Sequence, residues 1–154
     1  MRAGMTLLLG TGAGMAVMGA ISRKTVNEKK EKIDKFKTYY NILNQWMIIK
    51  QEGKTIEEYF HINNIKTIAI YGMGEMGYRL YDDLKAGDIE VKYAIDKNVE
   101  NIYGKLDIFD VDDNLPSVDA IVVTAVFAFD EIKEKLESVT DYDVVSLQDV
   151  IYEI

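Results

Sequence analysis

The sequence predicts an α/β protein with a small Rossmann-like parallel sheet of about five strands over residues 65–154. Three observations lead to this fold class. Short apolar runs alternate with helical patterns after residue 65, a Gly-x-Gly-x-x-Gly turn follows the first run, and Asp96 ends the second. With 48% hydrophobic and 29% charged residues and a single proline, the composition is that of an ordered globular protein.

The strands are predicted from nearly continuous apolar runs, as expected for strands that are buried on both faces. These runs occupy residues 66–71, 91–95, 106–109, 120–124 and 144–147. Helical spacing lies between them at residues 74–85 and 127–136. Because residues 97–105 are too few for an ordinary crossover helix, we expect an abbreviated or irregular connection there.

Gly72, Gly74 and Gly77 stand at the three positions of a dinucleotide fingerprint. The first glycine permits a tight turn, the second lets the backbone approach a pyrophosphate, and the third lets the helix pack closely on the strand. The N–H groups and partial positive charge at the start of the next helix can bind phosphate without a lysine. The predicted binding segment is Gly72, Met73, Gly74, Glu75, Met76 and Gly77.

Asp96 follows the second predicted strand, nineteen residues after Gly77. A carboxylate there would accept hydrogen bonds from both ribose hydroxyls and repel a 2′-phosphate, which favours NAD over NADP. Tyr71 and Thr124 end the first and fourth strands and face the same predicted crevice. For each of them, a ligand contact and a packing or chain-turning role remain open alternatives.

Residues 1–22 are predicted to be a transmembrane anchor. No charged residue occurs from Ala3 to Ser22, and twenty helical residues span about 30 Å, the thickness of the bilayer hydrocarbon core. A cleaved signal peptide and a helix that never inserts are the alternatives. The lysines that follow predict a single pass through the inner membrane, with the α/β domain in the cytoplasm. Gly10 and Gly14 form a G-x-x-x-G pair that would suit helix dimerisation.

Residues 23–64 are predicted to form a basic amphipathic helical linker with two apolar stripes. The first stripe occupies heptad a and d positions: Val26, Ile33, Phe36, Tyr40, Leu43 and Met47. The second stripe flanks it: Tyr39, Ile42, Trp46 and Ile49. The stripes need partners, which could be the α/β domain itself or the same helix of a second copy, making a homodimer. Gly53 is the predicted helix stop, and Thr55 with Glu58 suggests a capping box.

Charge and residue usage exclude several classes of function. Residues 66–154 carry eight Lys and Arg against twenty Asp and Glu, so nucleic acid is not an expected partner. The chain has no cysteine, which excludes disulfides, thiolate metal sites and a cysteine nucleophile. His61, the only histidine, has no evident carboxylate or nucleophile placed beside it. We therefore predict no catalytic residue and no metal site.

Four segments carry a resemblance to a known kind of domain, and together they extend from Tyr40 to Ile154. They are Tyr40-Asn-Ile-Leu-Asn-Gln-Trp46, Lys50-Gln-Glu-Gly53, Ile68-Ala-Ile-Tyr-Gly-Met-Gly-Glu-Met-Gly77 and Tyr93-Ala-Ile-Asp96. This region resembles a Rossmann-like module of bacterial cell-surface polysaccharide biosynthesis proteins. It is similar, less closely, to the nucleotide-sugar-binding N-terminal domain of sugar O- and N-acyltransferases. The resemblance implies a surface-glycan context and glycan-synthesis proteins as partners, but no acyltransferase or glycosyltransferase domain accompanies it.

Three functional hypotheses follow. The first is a membrane-anchored domain that binds NAD(H) or a nucleotide sugar and is accessory or regulatory to surface-polysaccharide synthesis. The second is an oxidoreductase or sugar-nucleotide-modifying enzyme whose site is completed by a partner or a second copy. The third is a structural interaction module with an empty crevice. The first is preferred because about ninety residues leave little room for a substrate site beyond the nucleotide half.

Overall fold

A computed structural model describes residues 8–97 and 106–154, with side chains from residue 24 onward. The helices are α1 (Leu8–Gln51), α2 (Glu57–Ile62), α3 (Glu75–Leu84), α4 (Phe129–Glu137) and α5 (Leu147–Tyr152). The strands are β1 (Thr67–Tyr71), β2 (Glu90–Ile95), β3 (Asp107–Phe109), β4 (Ala120–Val123) and β5 (Asp143–Ser146). The chain divides into two compact units, residues 1–41 and 42–154. This division places the end of α1 and all of α2 in the same unit as the sheet.

The five strands form one sheet in the order β3-β2-β1-β4-β5, and every neighbouring pair is parallel. This confirms the predicted α/β class and the predicted number and direction of strands. The order reverses between β1 and β4, which is the switch point where doubly wound sheets open a crevice at the carboxyl ends of their strands. The glycine turn begins at the end of β1, so the topology places it at that point.

Alternation along the strands divides the core into two faces. On one face, Ala69 and Ile121 belong to a buried cluster with Leu136 of α4. Ile68 and Ile70 point to the opposite face, and α3 lies against β1 and β2. Leu80 and Leu84 of α3 are fully buried, as their helical spacing predicts.

At the amino-terminal ends of β1 and β4, the carboxylate of one residue joins the two strands. Asp119, just before β4, accepts hydrogen bonds from the backbone N–H groups of Lys66 and Thr67 at 2.9 and 2.8 Å, and from the Thr67 hydroxyl at 3.0 Å. The two backbone hydrogen bonds are the main reason that the pKa of Asp119 lies below its ordinary value. This contact ties the start of β1 to the start of β4.

The end of α1 packs through the second of the two predicted stripes. Ile42, Trp46 and Ile49 are buried in the α/β unit, and the Trp46 indole donates a hydrogen bond to Asp83 of α3 at 2.9 Å. Gly53, with φ +78°, ends the helix as predicted. The predicted capping box is half formed, since the Glu58 carboxylate accepts from the Thr55 N–H at 3.2 Å.

Two predictions fall largely outside the described residues. The irregular connection of residues 97–105 is described only at residue 97. The side chains of the predicted anchor, residues 1–22, are not described, although the backbone is helical from Leu8. Among the described residues, none of the helices has the length and apolar character needed to cross a membrane.

Candidate functional site

The glycine turn joins β1 to α3, and its first glycine makes the turn possible. Gly72 has φ +91°, a left-handed backbone conformation that strains any other residue. Its N–H donates to the carbonyl of Ile95 at 2.9 Å, which continues the β1–β2 pairing into the turn. A Cβ at Gly72 would also lie 3.0 Å from the Thr124 hydroxyl oxygen. Gly72 thus has the turning role that the fingerprint predicts.

The third glycine allows close packing of α3 on the turn. A Cβ on Gly77 would overlap the carbonyl oxygen of Gly72 and lie 3.2 Å from the Gly72 carbonyl carbon. Both are backbone atoms, so no side-chain rotation could relieve the overlap. The start of α3 is therefore pressed against the end of β1.

The second glycine is surrounded by open space. Gly74 is the N-cap of α3 in an extended conformation, with φ −79° and ψ −165°, and no atom would lie within 4 Å of an added Cβ. The first intrahelical bond of α3 runs from the Tyr78 N–H to the Gly74 carbonyl at 3.0 Å. The N–H groups of Glu75, Met76 and Gly77 therefore precede the helical ladder, and such groups at a helix start can bind an anion.

Asp96 lies directly beside the turn. Its Oδ2 accepts a hydrogen bond from the backbone N–H of Met73 at 2.7 Å, and its own N–H donates to the carbonyl of Phe109 at 3.1 Å. The sequence predicts the position of this carboxylate at the end of β2. It does not reveal that the carboxylate binds the same loop that would hold the phosphate. Asp96 consequently ties the glycine turn to the end of β2.

Thr124 is buried directly beside the glycine turn. Its side chain is 3% exposed, and its hydroxyl lies 2.7 Å from the carbonyl oxygen of Gly72 and 3.2 Å from that of Tyr71. A hydroxyl has one hydrogen to donate, and both acceptors belong to the turn. The geometry therefore favours the chain-turning role for Thr124.

Tyr71 lies half-buried at the carboxyl end of β1, among acidic side chains. Burial raises the pKa of the Tyr71 phenol above its ordinary value, and the nearby carboxylates of Asp96, Asp110 and Glu131 raise it further. The phenol is therefore neutral at physiological pH and can donate a hydrogen bond. Asp110 and Glu131 were missed by the sequence analysis, because one follows a three-residue strand and the other lies within the first turn of α4.

The other residues of the predicted binding segment have distinct placements. The side chains of Met73 and Met76 are buried, so these residues can contribute only backbone groups to the site. Glu75 is exposed in the first turn of α3. Its carboxylate lies where negative charge is favoured by the helix dipole, and there it would compete with a bound anion.

A cleft of about 400 Å³ lies beyond the carboxyl ends of β4 and β5. Its described lining includes three carboxylates, Asp130, Glu131 and Asp149, and no basic side chain. Ser146 and Gln148 add polar groups, while Phe127 adds an apolar surface. This lining suits hydroxyl, amide or cationic groups of a ligand better than a second cluster of phosphates. Within the described part of the chain, no group of acidic and histidine side chains is arranged to hold a metal ion.

These features define a class of protein: a five-stranded, all-parallel α/β domain with a glycine turn at the switch point of its sheet. The comparisons do not narrow this class further. The sequence matches no protein-family model, no curated protein and no solved structure.

Proposed function

We propose that this protein is a binding subunit for a nucleotide-type ligand, NAD(H) or a nucleotide sugar. In this proposal the phosphates lie at the start of α3, and Asp96 binds the ribose. The cleft beyond β4 and β5 would receive the nicotinamide or the sugar. The protein would act as an accessory or regulatory component, since a domain of about ninety residues leaves little room for a substrate site beyond the nucleotide half.

The open space at Gly74 is the observation that carries the proposal. The positive φ of Gly72 and the close backbone contact at Gly77 explain why these two residues are glycines, but no neighbouring atom requires a glycine at Gly74. A phosphate that approaches the α3 N–H groups would use this space, and a side chain would obstruct it. A bound phosphate is therefore the best explanation for the glycine at the second position of the fingerprint, Gly74.

The acidic surroundings limit the ligand class. Asp96, Asp110 and Glu131 act on the same tyrosine, and Glu75 begins the helix that would bind the phosphate. A nucleoside triphosphate would bring most of its charge close to these carboxylates, whereas NAD and nucleotide sugars place a ribose and a second ring beside their pyrophosphate. Hydroxyl groups can donate hydrogen bonds to carboxylates. This favours the two proposed ligands over ATP or NADP.

Replacing Asp96 by asparagine should weaken the binding of NAD⁺ by about tenfold, because a charge-assisted hydrogen bond to the ribose becomes a neutral one. An asparagine oxygen can still accept from the Met73 N–H, so the turn should persist. Asp96→Ala removes this acceptor as well and should weaken binding by about 1–3 kcal/mol. Titration calorimetry with NAD⁺, NADP⁺ and UDP-N-acetylglucosamine measures these changes.

Asp110→Asn is the matched control for Asp96→Asn, since it removes a nearby negative charge that the proposal does not place on the ribose. It should affect binding less than Asp96→Asn. The Asp96→Asn substitution should also narrow the preference for NAD⁺ over NADP⁺, because the repulsion of a 2′-phosphate is relieved. Equal affinities in the native and Asp96→Asn proteins would contradict the ribose assignment.

The second candidate is a structural interaction module whose crevice binds no ligand. One specific observation favours this candidate. The Asp96 carboxylate already accepts from the Met73 N–H at 2.7 Å, which ties the turn to β2 without any ligand. On this alternative, Asp96→Ala lowers the melting temperature, and none of the three nucleotides raises it in the native protein. A melting curve with and without each nucleotide separates the two candidates.

We also propose that the binding domain is held at the inner face of the cytoplasmic membrane, near proteins of surface-glycan synthesis. The uncharged stretch from Ala3 to Ser22 and the lysines after it support this location, and the resemblance described above supports the glycan context.

Full-length protein made in bacteria should sediment with membranes and resist carbonate extraction. Deleting residues 1–22 should release it, because the α/β unit has its own core. Full-length protein that is soluble without detergent would contradict the anchor.

A further inference from the structure

The cleft beyond β4 and β5 carries negative charge from two helices. Asp130 and Glu131 contribute carboxylates from the first turn of α4, and Asp149 contributes one from the first turn of α5. All three side chains are exposed, and the described lining contains no lysine or arginine. The partial positive charges at the starts of the two helices offset about one unit of this negative charge, so about two units remain.

The basic side chains of α4 are paired with other carboxylates. Lys133 lies 5.8 Å from the centroid of the Phe129 ring and forms an ion pair with Glu137 at 3.7 Å. Lys135 pairs with Asp112 at 3.6 Å, and α5 contains no basic residue. Among the described side chains, none forms an ion pair with a carboxylate of the cleft. A cationic group of a ligand would therefore find the negative charge of the cleft uncompensated.

A buried hydroxyl in the same cleft has a hydrogen to donate. Ser146, the last residue of β5, is 4% exposed, and its Oγ accepts a hydrogen bond from the Gln148 N–H at 3.1 Å. Within the described part of the chain, no acceptor receives the hydrogen of this hydroxyl. A hydroxyl can accept and donate at once. Ser146 therefore retains a donor for a carbonyl group of a ligand in the cleft.

The order of the strands places this cleft within reach of the glycine turn. Asp96 ends β2, the turn follows β1, and the cleft lies beyond β4 and β5 on the other side of β1. Neighbouring strands are about 4.8 Å apart, so β2 and β4 are separated by about 10 Å. A dinucleotide with one ribose at Asp96 and its pyrophosphate at the start of α3 would carry its second ring across β1 toward the cleft.

We infer that the cleft selects the oxidised nicotinamide ring, so that the site binds NAD⁺ in preference to NADH. This inference rests on the proposed nucleotide site and adds a preference for one redox state of the ligand. The oxidised ring carries a positive charge that the reduced ring lacks, whereas the rest of the two dinucleotides is the same. The negative charge of the cleft therefore attracts the oxidised form more strongly.

The remaining groups of nicotinamide also match the cleft. Its carboxamide oxygen can accept from the Ser146 hydroxyl, and its NH₂ group can donate to a carboxylate. Phe127, which is 52% exposed, adds an aromatic ring to the lining, and aromatic rings attract cations. The sugar of UDP-N-acetylglucosamine is uncharged, so it would gain hydrogen bonds without the attraction between charges. The cleft thus suits the oxidised nicotinamide better than a neutral sugar.

Titration calorimetry of the full-length protein in detergent tests this preference with NAD⁺, NADH and ADP-ribose, which lacks the nicotinamide. At low ionic strength, NAD⁺ should bind about tenfold more tightly than NADH, a difference of about 1.4 kcal/mol. ADP-ribose should bind more weakly than NAD⁺. Added salt should narrow the difference between NAD⁺ and NADH, because the three carboxylates are exposed and their charges are screened.

Glu131→Gln with Asp149→Asn removes two of the three charges and changes the side chains little in size. The preference for NAD⁺ should fall from about tenfold to about twofold, while the affinity for ADP-ribose changes by less than about twofold. Glu134→Gln with Asp141→Asn is the matched control, since it removes the same net charge from exposed residues outside the lining. The control protein should keep the native preference.

Ser146→Ala tests the carboxamide contact separately. It should weaken NAD⁺ and NADH by a similar factor and leave their ratio unchanged, because both carry the carboxamide. Its effect on ADP-ribose should be smaller. Ser146 also caps α5, so a melting curve must show that the variant remains folded.

The outcomes separate this inference from the proposed function. Equal affinities for NAD⁺ and NADH, or a preference for NADH, would overturn the inference and leave the nucleotide site in place. The same narrowing in the matched control would overturn it too, because the preference would then reflect net charge and not the cleft. Binding of UDP-N-acetylglucosamine without NAD⁺ would also overturn it. If none of these nucleotides binds, the proposed function fails as well.

Discussion

Gly74→Val should abolish ligand binding while leaving the domain folded. The backbone of Gly74 has φ −79° and ψ −165°, a conformation open to residues with side chains, and no atom lies within 4 Å of the added Cβ. The branched side chain would therefore meet no other part of the described chain, and on the proposed function it would occupy the space that the phosphate uses. We expect at least a 100-fold loss of affinity for NAD⁺ or UDP-N-acetylglucosamine, whichever binds the native protein, since phosphate contacts at that backbone would be obstructed.

The controls for Gly74→Val separate obstruction from loss of helix capping. Valine is a poorer N-cap residue than glycine, and the difference should cost about 0.5–1 kcal/mol of stability. Gly74→Ser adds a smaller side chain and retains good capping, so its affinity should lie between those of the native protein and Gly74→Val. A folded Gly74→Val protein whose melting temperature still rises with the nucleotide would show that the phosphate binds elsewhere. The structural role of the crevice would then be the better account.

Gly77→Ala should lower the stability of the domain by about 2–3 kcal/mol, the upper part of the typical range for overpacking, because side-chain movement cannot relieve the overlap. The new methyl group overlaps the carbonyl oxygen of Gly72, so α3 must move away from the end of β1. The better helix propensity of alanine offsets about 1 kcal/mol of the cost. The melting temperature should fall by roughly 10 °C for a domain of this size.

Gly74→Ala is the matched control for Gly77→Ala. Both substitutions add one methyl group within three residues of each other, but only Gly77 has a backbone atom in its way. Gly74→Ala should therefore leave the melting temperature nearly unchanged, and calorimetric or circular-dichroism melting curves can make the comparison. Equal melting temperatures for the two variants would show that α3 is not pressed against the turn. The assignment of separate roles to the glycines would then be wrong.

The sequence by itself determined the strands and the class of fold. The apolar runs predict five strands because a strand buried on both faces needs no polar alternation, and all five lie where the runs indicate. The end of α1 at Gly53 and the tight turn at Gly72 were also predictable from the sequence. Each depends on local backbone geometry, which the residue type and its neighbours largely fix.

Only the tertiary structure decided which stripe of α1 is buried. Both stripes are apolar and have helical spacing, so hydrophobicity favours neither, and the choice depends on the distant surface of α3 and the Trp46–Asp83 hydrogen bond. The same reason applies to Asp96 and Thr124. Their contacts with the glycine turn join residues that are 23 and 52 positions apart, and they exist only once β2 and β4 lie beside β1. Local patterns determine elements, whereas contacts between distant elements depend on how the whole sheet assembles.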